Sequence, residues 1–468
     1  MEAIDANNRL GTWPVGKLLF NLAMPSITAQ VINALYNMVD RMYIRRIPVD
    51  GSLAIAGLGV AFPLIMIISA FASLIGMGGA SRAAIRMGEG NNTEAEKILN
   101  NSFIALVLIS IALTVFFYLT KTQLLTLFGA TENMLPFADS YFSVYLIGTL
   151  FVQLSLGLNQ FISAQGFART SMMTVVIGAL MNIVLDPIFI YGFGMGVKGA
   201  ALATIISQMV SAIWVMMFLC GKRSIIRINK RFFKLDKNVI APILALGISP
   251  FIMQSTESLV QLALNSGMKA YGGANADQYV GIITILVGIM QFVLMPMIGL
   301  TQGAQPIISY NYGAGKTDRV RKTFKLLMIS SLVYSVSLWM VCMIWPQALI
   351  RMFSNDAAYL EIGKYGMRIF IAGFFIIGAQ FACQNTLVAL GQAKISTFLA
   401  LLRKVILLIP LAIVLPRFFG TTGIFVAEPV ADIIASVTTS IVFVSYFRKV
   451  LRHREEETFQ HVQVEDLV

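Results

Sequence analysis

Charge is scarce in this chain of 468 residues. Only 12% of the residues are charged, whereas 57% are hydrophobic, and the mean hydropathy is +0.77. A soluble globular protein carries roughly 25% charged residues, and a soluble core cannot hide this much apolar surface. A lipid bilayer can, so the composition predicts an integral membrane protein.

Histidine and cysteine are also scarce. His453 and His461, the only two histidines, stand in the polar C-terminal stretch, and Cys220, Cys342 and Cys383 show no paired spacing. This pattern excludes a disulfide framework, a zinc site and histidine acid–base catalysis within the apolar body. A membrane-embedded enzyme such as an acyltransferase is disfavoured because no nucleophile and base stand together. We expect a protein that is not an enzyme and that needs no cofactor.

The formal net charge of +12 comes from basic residues between the apolar runs. The densest group is Lys222, Arg223, Arg227, Lys230, Arg231, Lys234 and Lys237. A nucleic-acid-binding domain would instead present a basic face on a soluble fold, so no nucleic-acid partner is expected. The chain begins with polar residues, which indicates that there is no cleavable signal peptide.

The apolar runs predict twelve transmembrane helices, since each span needs about 20 apolar residues. The predicted spans are 15–40, 54–80, 98–120, 137–163, 169–192, 197–219, 240–268, 278–305, 324–345, 364–389, 395–416 and 422–447. One set of loops holds more than twice as many Lys and Arg residues as the other. By the positive-inside rule, both termini are expected to be cytoplasmic.

The two halves of the sequence repeat each other at an offset close to 225 residues. The matching positions are Pro25 with Pro250, Gly79-Ala80 with Gly303-Ala304, Gly88 and Gly90 with Gly313 and Gly315, Gly166 with Gly391, and Gly196 with Gly420. Six spans per repeat is an even number, so both halves share one orientation. They would be related by an axis along the membrane normal, with a site at their interface.

The expected fold is therefore an all-α polytopic membrane protein with twelve transmembrane helices in two six-helix lobes related by a pseudo-two-fold axis. The predicted domains are an N-terminal lobe over 1–220, a cytoplasmic linker over 221–239, a C-terminal lobe over 240–450 and a polar cytoplasmic tail over 451–468. Repeats of this kind are more typical of transporters than of enzymes.

Two carboxylates in the first half are candidates for function. An intramembrane carboxylate costs about 2.5–3.5 kcal/mol on insertion scales. Asp40 lies near the outer end of the first span, one turn after Tyr36, and Asp186 follows Asn182 by four residues, which places both on one helix face. Pro187 should kink the helix and free a backbone carbonyl. The plainer alternatives are an interfacial pair of Asp40 with Arg41, and an acid at the helix end for Asp186.

The second half carries different charges. Glu257, Glu428 and Asp432 lie within spans, whereas the repeat aligns Asp40 with Asn265 and Asp186 with about Leu411. The acid pair is thus not duplicated, and we expect the chemistry to be concentrated in the first half, with Glu257 serving the cavity from the second.

Two basic residues fall inside the eleventh span. Arg403 and Lys404 would either line a water-filled inner cavity or extend their side chains to the cytoplasmic surface.

The chain offers no nucleotide-binding domain to supply energy. The stretch Tyr312-Gly313-Ala314-Gly315-Lys316-Thr317 ends like a phosphate-binding loop, but Tyr310 stands where the first glycine is needed and no strand precedes it. The energy for transport would have to come from an ion gradient or from the gradient of the substrate itself.

Several stretches resemble the multidrug and toxic compound extrusion (MATE) family, and look closest to its bacterial MepA-like branch. They are Met24-Pro25 through Tyr36 to Asp40, Met181 to Pro187, Gly196 to Thr204, and Gly303-Ala304-Gln305-Pro306 through Asn311-Tyr312-Gly313. The resemblance covers nearly the whole chain and is most specific between Met181 and Thr204. It implies a two-lobed bundle that opens as a V and exchanges cations for drugs.

The resemblance also implies the site. A cation, H⁺ or Na⁺, would bind at Asp40 and Asp186 with support from Tyr36, Asn159, Asn182 and Thr204, and Glu257 matches an acid that other branches use in the C-terminal lobe. No metal is expected beyond Na⁺ at the two aspartates. The expected partners are small-molecule drugs, organic cations and the lipid bilayer, and the expected form is a monomer in the bacterial inner (plasma) membrane.

A second transporter class, the lipid-linked saccharide flippases, shares this general appearance. Such a protein would be expected to have more than twelve spans or a cavity richer in arginine. The function predicted first is multidrug efflux by cation-coupled antiport.

Overall fold

The computed structural model describes residues 9–48, 51–351, 353 and 356–465. Its first half consists of long helices joined by short loops. These are α1 (Val15–Arg45), α2 (Gly51–Gly88), α3 (Asn92–Leu127), α4 (Leu135–Ile147), α5 (Thr149–Ala164), α6 (Ala168–Pro187) and α7 (Val197–Cys220). A five-residue π-helical turn, Ile188–Gly192, extends α6.

The second half has the same kind of architecture. Its helices are α8 (Lys237–Tyr271), α9 (Ala276–Gly313), α10 (Thr317–Ile344), α11 (Pro346–Arg351), α12 (Ala357–Phe370), α13 (Phe374–Ala389), α14 (Ala393–Leu401) and α15 (Ile409–Glu465). A seven-residue π-helical turn, Leu402–Leu408, joins α14 to α15. The predicted polar tail is therefore helical as far as Glu465.

Twelve segments of the described chain are able to cross a bilayer. Nine are long and apolar enough by themselves, and the bent pairs α4–α5 (61°) and α12–α13 (46°) raise the number to eleven. The last of the nine, Ala393–Glu457, is interrupted at Gly420, where φ is 57° and ψ is −139°. This break divides it into two legs, so the predicted all-α fold of twelve spans is confirmed.

The repeat is visible in the backbone. Three glycine pairs in the left-handed region separate equivalent helices: Gly90 and Gly315 (φ 77° and 68°), Gly166 and Gly391 (86° and 74°), and Gly196 and Gly420 (56° and 57°). Other residues rarely adopt this conformation, which explains why glycine occurs at both positions of each pair. The two bent helix pairs also break at equivalent places, at Gly148 and near Gly373.

The two lobes pack closely at one end of the bundle. We call this the basic end, because the linker 221–239, which is rich in Lys and Arg, lies there. The helix ends at Val15, Gly88, Lys237 and Gly313 lie at the same end. A Cβ on Gly247 of α8 would stand 1.7 Å from the carbonyl oxygen of Leu74 on α2. Helices α1 and α9 approach each other equally closely, since a Cβ on Gly303 of α9 would stand 2.4 Å from Ala23 Cα on α1. Only glycine allows these backbones to approach so closely.

Hydrogen bonds follow the same seam away from the basic end. Gln305 on α9 donates to Ser81 on α2, Gln30 on α1 donates to Gln302 (3.0 Å), and Ser73 on α2 donates to Gln254 on α8 (2.7 Å). The lobes are thus held together over the basic-end half of α1, α2, α8 and α9.

The linker between the lobes is folded onto the first lobe. The side-chain oxygens of Asn100 and Asn101 on α3 accept hydrogen bonds from the backbone N–H groups of Asn229 (2.9 Å) and Asp236 (2.7 Å). Gln165 accepts another from Ile225 N–H (2.7 Å). These contacts fix the start of α8. The domain boundaries derived from the sequence remain a prediction.

Candidate functional site

Asp40 and Asp186 meet inside the first lobe. Helix α1 packs along α6, and the two carboxyl groups lie within hydrogen-bonding distance of each other. Asp40 is 8% exposed and Asp186 is fully buried. The two acids that the sequence singled out, 146 positions apart, therefore form one site.

Asn182 and Thr204 complete one side of this site. The Asn182 amide nitrogen donates to Asp186 Oδ1 over 3.2 Å and lies 3.4 Å from the hydroxyl of Thr204 on α7. Asn182 is 1% exposed. Because Asn182 and Asp186 are one turn apart on α6, a single amide bridges the carboxylate and the neighbouring helix.

The site contains more hydrogen-bond acceptors than donors. Asp40 Oδ1, Asp186 Oδ2 and Asn182 Oδ1 are all buried, and no described residue donates a hydrogen bond to any of them. Buried polar atoms are normally satisfied, and a hard cation takes carboxylate, amide and hydroxyl oxygens as ligands. The donor set therefore fits a monovalent cation or a proton shared by the two carboxylates.

Three tyrosines surround the carboxylates, and only Tyr36 was expected. Tyr36 lies near both acids. The Tyr141 hydroxyl on α4 is within hydrogen-bonding reach of Thr204 and lies close to Asp40, while Tyr145 reaches Ser69. The Tyr141 and Tyr145 rings stack at 6.3 Å. Tyrosines are common in apolar spans, so the sequence carries no signal that singles out Tyr141 and Tyr145.

Asn159 lies apart from the carboxylates in this structure. Its amide nitrogen donates to the Ser171 carbonyl (3.2 Å), and its side-chain oxygen accepts from the Thr174 hydroxyl (2.9 Å). Thr174 precedes Asp186 by twelve residues, about 18 Å along a helix. The printed contacts of Asn159 thus belong to the opposite end of α6.

The described contacts bear on the plainer interpretations of the two acids. The Arg41 guanidinium lies 4.8 Å from the centroid of the Phe62 ring and also interacts electrostatically with Asp40. Asp186 lies at the end of α6, one residue before Pro187, but is fully buried. Above the pair, the Tyr191 hydroxyl donates to the Tyr43 carbonyl (2.6 Å) and closes α1 against the end of α6.

Pro187 modifies α6 without ending it. Helix α6 runs through Pro187 into the π-helical turn Ile188–Gly192. Proline has no N–H for the carbonyl one turn earlier, and a wider turn accommodates the missing hydrogen bond. π-turns of this kind often occur at functional sites.

The second lobe holds a buried cluster of charges. Lys404 pairs with Glu257 (2.8 Å), and Arg403 Nε donates to Asp432 Oδ1 (2.8 Å). Arg403 is 3% exposed and Lys404 is 5% exposed. The expectation that they line an open cavity or extend to the cytoplasmic surface is wrong, because both side chains are almost fully buried and each is paired with an acid. Buried charges thus occur in both lobes, and the expectation that the chemistry is concentrated in the first half stays a prediction.

A family model covers most of the sequence, in two copies. The model described as MatE matches residues 25–188 and again 251–414. The chain belongs to the MatE family. Each match covers most of one lobe, which agrees with the repeat seen in the glycine conformations.

Curated relatives align over almost the whole MatE chain. The multidrug export protein MepA of Staphylococcus aureus (strain N315) is 26% identical over 436 residues, covering 92% of this chain and 93% of the relative. The protein of the same name from Staphylococcus saprophyticus is 25% identical over 428 residues, with the same coverage. The expectation that the chain is not an enzyme is confirmed by this membership of a transporter family.

Solved structures share the fold. A structure described as the outward-facing conformation of a multidrug resistance MATE family transporter superimposes with a TM-score of 0.88. It is 21% identical in sequence and covers 94% of this chain and 98% of its own. A multi-pass membrane protein with the MATE fold is thereby established.

Proposed function

We propose that this protein exports organic, often cationic, small molecules by exchanging them for H⁺ or Na⁺. The observation that carries the proposal is the buried pair Asp40–Asp186 with its unpaired oxygens, in a chain without a nucleotide-binding domain. The MepA relatives of similar length are named as multidrug export proteins, which supports the substrate class. The lipid bilayer is the only other partner proposed, and the protein would act as a monomer.

The orientation follows from the position of the basic end. The start of α1, the basic linker and Arg454 of α15 lie at this end, and by the positive-inside rule we propose that it faces the cytoplasm of a bacterial cell. The lobe contacts at the basic end then close the cytoplasmic side. Asp40 lies ten residues beyond Gln30, about 15 Å further along α1, on the outer side of the seam. This position supports access to the carboxylates from outside the cell.

The carboxylates provide the coupling. Two carboxylates in contact repel each other in a low-dielectric interior, and one bound cation relieves that repulsion. Binding of H⁺ or Na⁺ draws Asp40 of α1 and Asp186 of α6 together, and release lets them separate. Because Asp40 lies on the same helix as the interlobe contacts of Ala23 and Gln30, a shift of α1 changes the seam as well as the site.

The membrane potential supplies enough energy for this exchange. Each net charge that moves inward contributes about 2.3 kcal/mol per 100 mV. That free energy corresponds to a concentration ratio of about 40-fold, since 1.4 kcal/mol is tenfold.

A transport assay in proteoliposomes tests the proposal. Efflux of a cationic dye would be measured separately under imposed H⁺ and Na⁺ gradients, for the wild type, Asp40→Asn and Asp186→Asn. Both variants should be expressed and should lose gradient-driven efflux. Asp318→Asn is the matched control, since that side chain is 96% exposed. Full efflux by both aspartate variants would contradict the proposal.

No observation favours a lipid-linked saccharide flippase. Such a protein was expected to have further spans or an arginine-rich cavity, whereas the described chain has twelve crossing segments. The arginine in the buried charge cluster of the second lobe, Arg403, pairs with Asp432.

A further inference from the structure

The buried charges of the second lobe do not balance. Three carboxylates, Glu257, Glu428 and Asp432, surround two cations, Arg403 and Lys404. They come from three elements, α8, the π-helical turn Leu402–Leu408 and α15, and Gln291 of α9 also contacts Glu257. Within the described residues, the cluster has one carboxylate more than it has cations.

The excess falls on Glu428. Lys404 is engaged with Glu257, and Arg403 has its short contacts, 2.8 Å from both Nε and Nη2, with Asp432 Oδ1. Glu428 Oε1 lies 3.6 Å from Arg403 Nη2, and these two atoms do not form a hydrogen bond. Glu428 is 2% exposed, and no described residue donates to its buried Oε2. Glu428 thus has only a long contact with a guanidinium that Asp432 already engages more closely, and an ionised carboxylate buried in this way would be destabilising.

Glu257 is the member of the cluster that a solute can reach. Its side chain is 30% exposed, against 6% for Lys404 and 3% for Glu428. It follows Gln254, the last residue of the seam on α8, by three positions, about 4.5 Å. Glu257 therefore faces the space between the lobes, and Glu428 lies behind it.

Resting on the exchange proposed above, we propose that Glu428 is a second proton-binding site. An organic cation that binds at Glu257 displaces the proton of Glu428 through Lys404. The cation takes the place of the Lys404 ammonium on Glu257. Lys404, which follows Arg403 on the same π-helical turn, turns to that carboxylate. The Glu428 O–H bond breaks, and the proton leaves to the space between the lobes.

The charges balance in both states. With Glu428 protonated, the charges of Arg403 and Lys404 are cancelled by Glu257 and Asp432. With the organic cation bound and Glu428 ionised, three positive charges face three carboxylates. The cluster is neutral with one proton or one organic cation and not with both, so binding of the two is mutually exclusive. This exchange does not involve Asp40 or Asp186.

Infrared spectroscopy tests the resting proton without any substrate. Purified wild-type protein and Glu428→Gln would be compared at neutral pH in the C=O stretching region of protonated carboxylic acids. The variant should lose the band of one acid, because glutamine replaces the protonated side chain with little change in shape. Glu361→Gln, at an exposed acid on α12, should leave the spectrum unchanged. An unchanged spectrum for Glu428→Gln would overturn the proposal.

Proton release on binding tests the exchange. Tetraphenylphosphonium would be added to detergent-solubilised protein in weak buffer, with bound cation and released protons both measured. In an Asp40→Asn/Asp186→Asn background, about one proton should still leave per cation bound. Adding Glu428→Gln should abolish this release while the cation still binds. Release that persists without Glu428 would overturn the proposal.

A second variant tests the Glu257–Lys404 pair and does not depend on the stability of Glu428→Gln. The double change Glu257→Gln/Lys404→Gln removes the ion pair as a unit, and with it the proposed site of the organic cation, so in the same background it should abolish proton release. Continued release would contradict an exchange that runs through this pair. If the wild type does not bind tetraphenylphosphonium, the export of organic cations is contradicted. Binding without release in the Asp40→Asn/Asp186→Asn background contradicts only the role of Glu428.

Discussion

Arg454, near the end of α15, donates a hydrogen bond to Glu89 in the loop between α2 and α3 over 2.9 Å. The same guanidinium donates to the backbone carbonyls of Tyr312 (3.1 Å) and Gly313 (2.6 Å) at the end of α9. One residue of the second lobe thus joins the C-terminal helix, the first lobe and α9 at the basic end.

Arg454→Ala should weaken closure of the basic end. Hydrogen bonds from a charged donor contribute about 1.5–3 kcal/mol, so the population of open forms should rise by about tenfold or more. The measurement is the labelling rate of Ser81→Cys, a buried seam position, by a polar thiol reagent in a Cys220→Ser background. Arg452→Ala is the control, because Arg452 is 81% exposed and pairs with Glu456 on its own helix. Equal labelling rates would contradict this role of Arg454.

Gly247→Ala should destabilise the observed contact between the lobes. The new methyl group would lie 1.7 Å from the Leu74 carbonyl oxygen, and overpacking of this kind costs about 1–3 kcal/mol. We expect a lower Tm in detergent and reduced efflux. Gly288→Ala on α9 has no atom within 4 Å of the new methyl group, and its Tm should stay the same or rise. Equal Tm values would show that the seam tolerates the added carbon.

Asn182→Ala and Asn159→Ala should differ although both asparagines were predicted for the same site. The first change removes the donor to Asp186 (3.2 Å) and should weaken binding of the coupling cation by about 10- to 100-fold, the range for a hydrogen bond to a charged group. The second removes contacts to Ser171 and Thr174 and should leave cation affinity within about threefold. Half-saturating H⁺ or Na⁺ concentrations for efflux measure both. An equal loss in the two variants would indicate that Asn159 reaches the aspartates in another state of the cycle.

Tyr141→Phe should impair coupling, although nothing in the sequence singles out this residue. Its hydroxyl lies within reach of Thr204 and near Asp40, so its loss removes one hydrogen bond, about 1 kcal/mol, and should weaken cation binding by roughly fivefold. Tyr118→Phe is the control, since Tyr118 is 56% exposed on the outer surface of α3. The half-saturating cation concentration should change for the first variant alone, and no change in either would remove Tyr141 from the site.

Much of the fold could be predicted because lipid imposes simple rules. Apolar runs of fixed length predict spans, and glycines repeated at a constant offset predict positive-φ breaks, as at Gly196 and Gly420. The ends of the helices were less predictable. Helix α3 extends from Asn92 to Leu127 instead of 98–120, because its polar first turns are held by the linker and not by lipid.

The candidate site divides in the same way. Asp40 and Asp186 stand out by themselves, since a carboxylate in an apolar run is costly wherever it points. Asn182 follows from its spacing to Asp186. Tyr141 does not stand out because a tyrosine is common in apolar spans, and its position depends on how α4 packs against α2 and α7.

The sequence by itself determined that this protein crosses a membrane in two related halves and that acids lie within its spans, because hydropathy, repeat spacing and burial cost are local properties. Only the tertiary structure decided which charges meet. In that structure Asp40 lies next to Asp186, Asn159 lies apart from them, and Arg403 and Lys404 contact the acids of α8 and α15. Such partners depend on how helices far apart in sequence pack and rotate against one another, which no spacing within a single helix specifies.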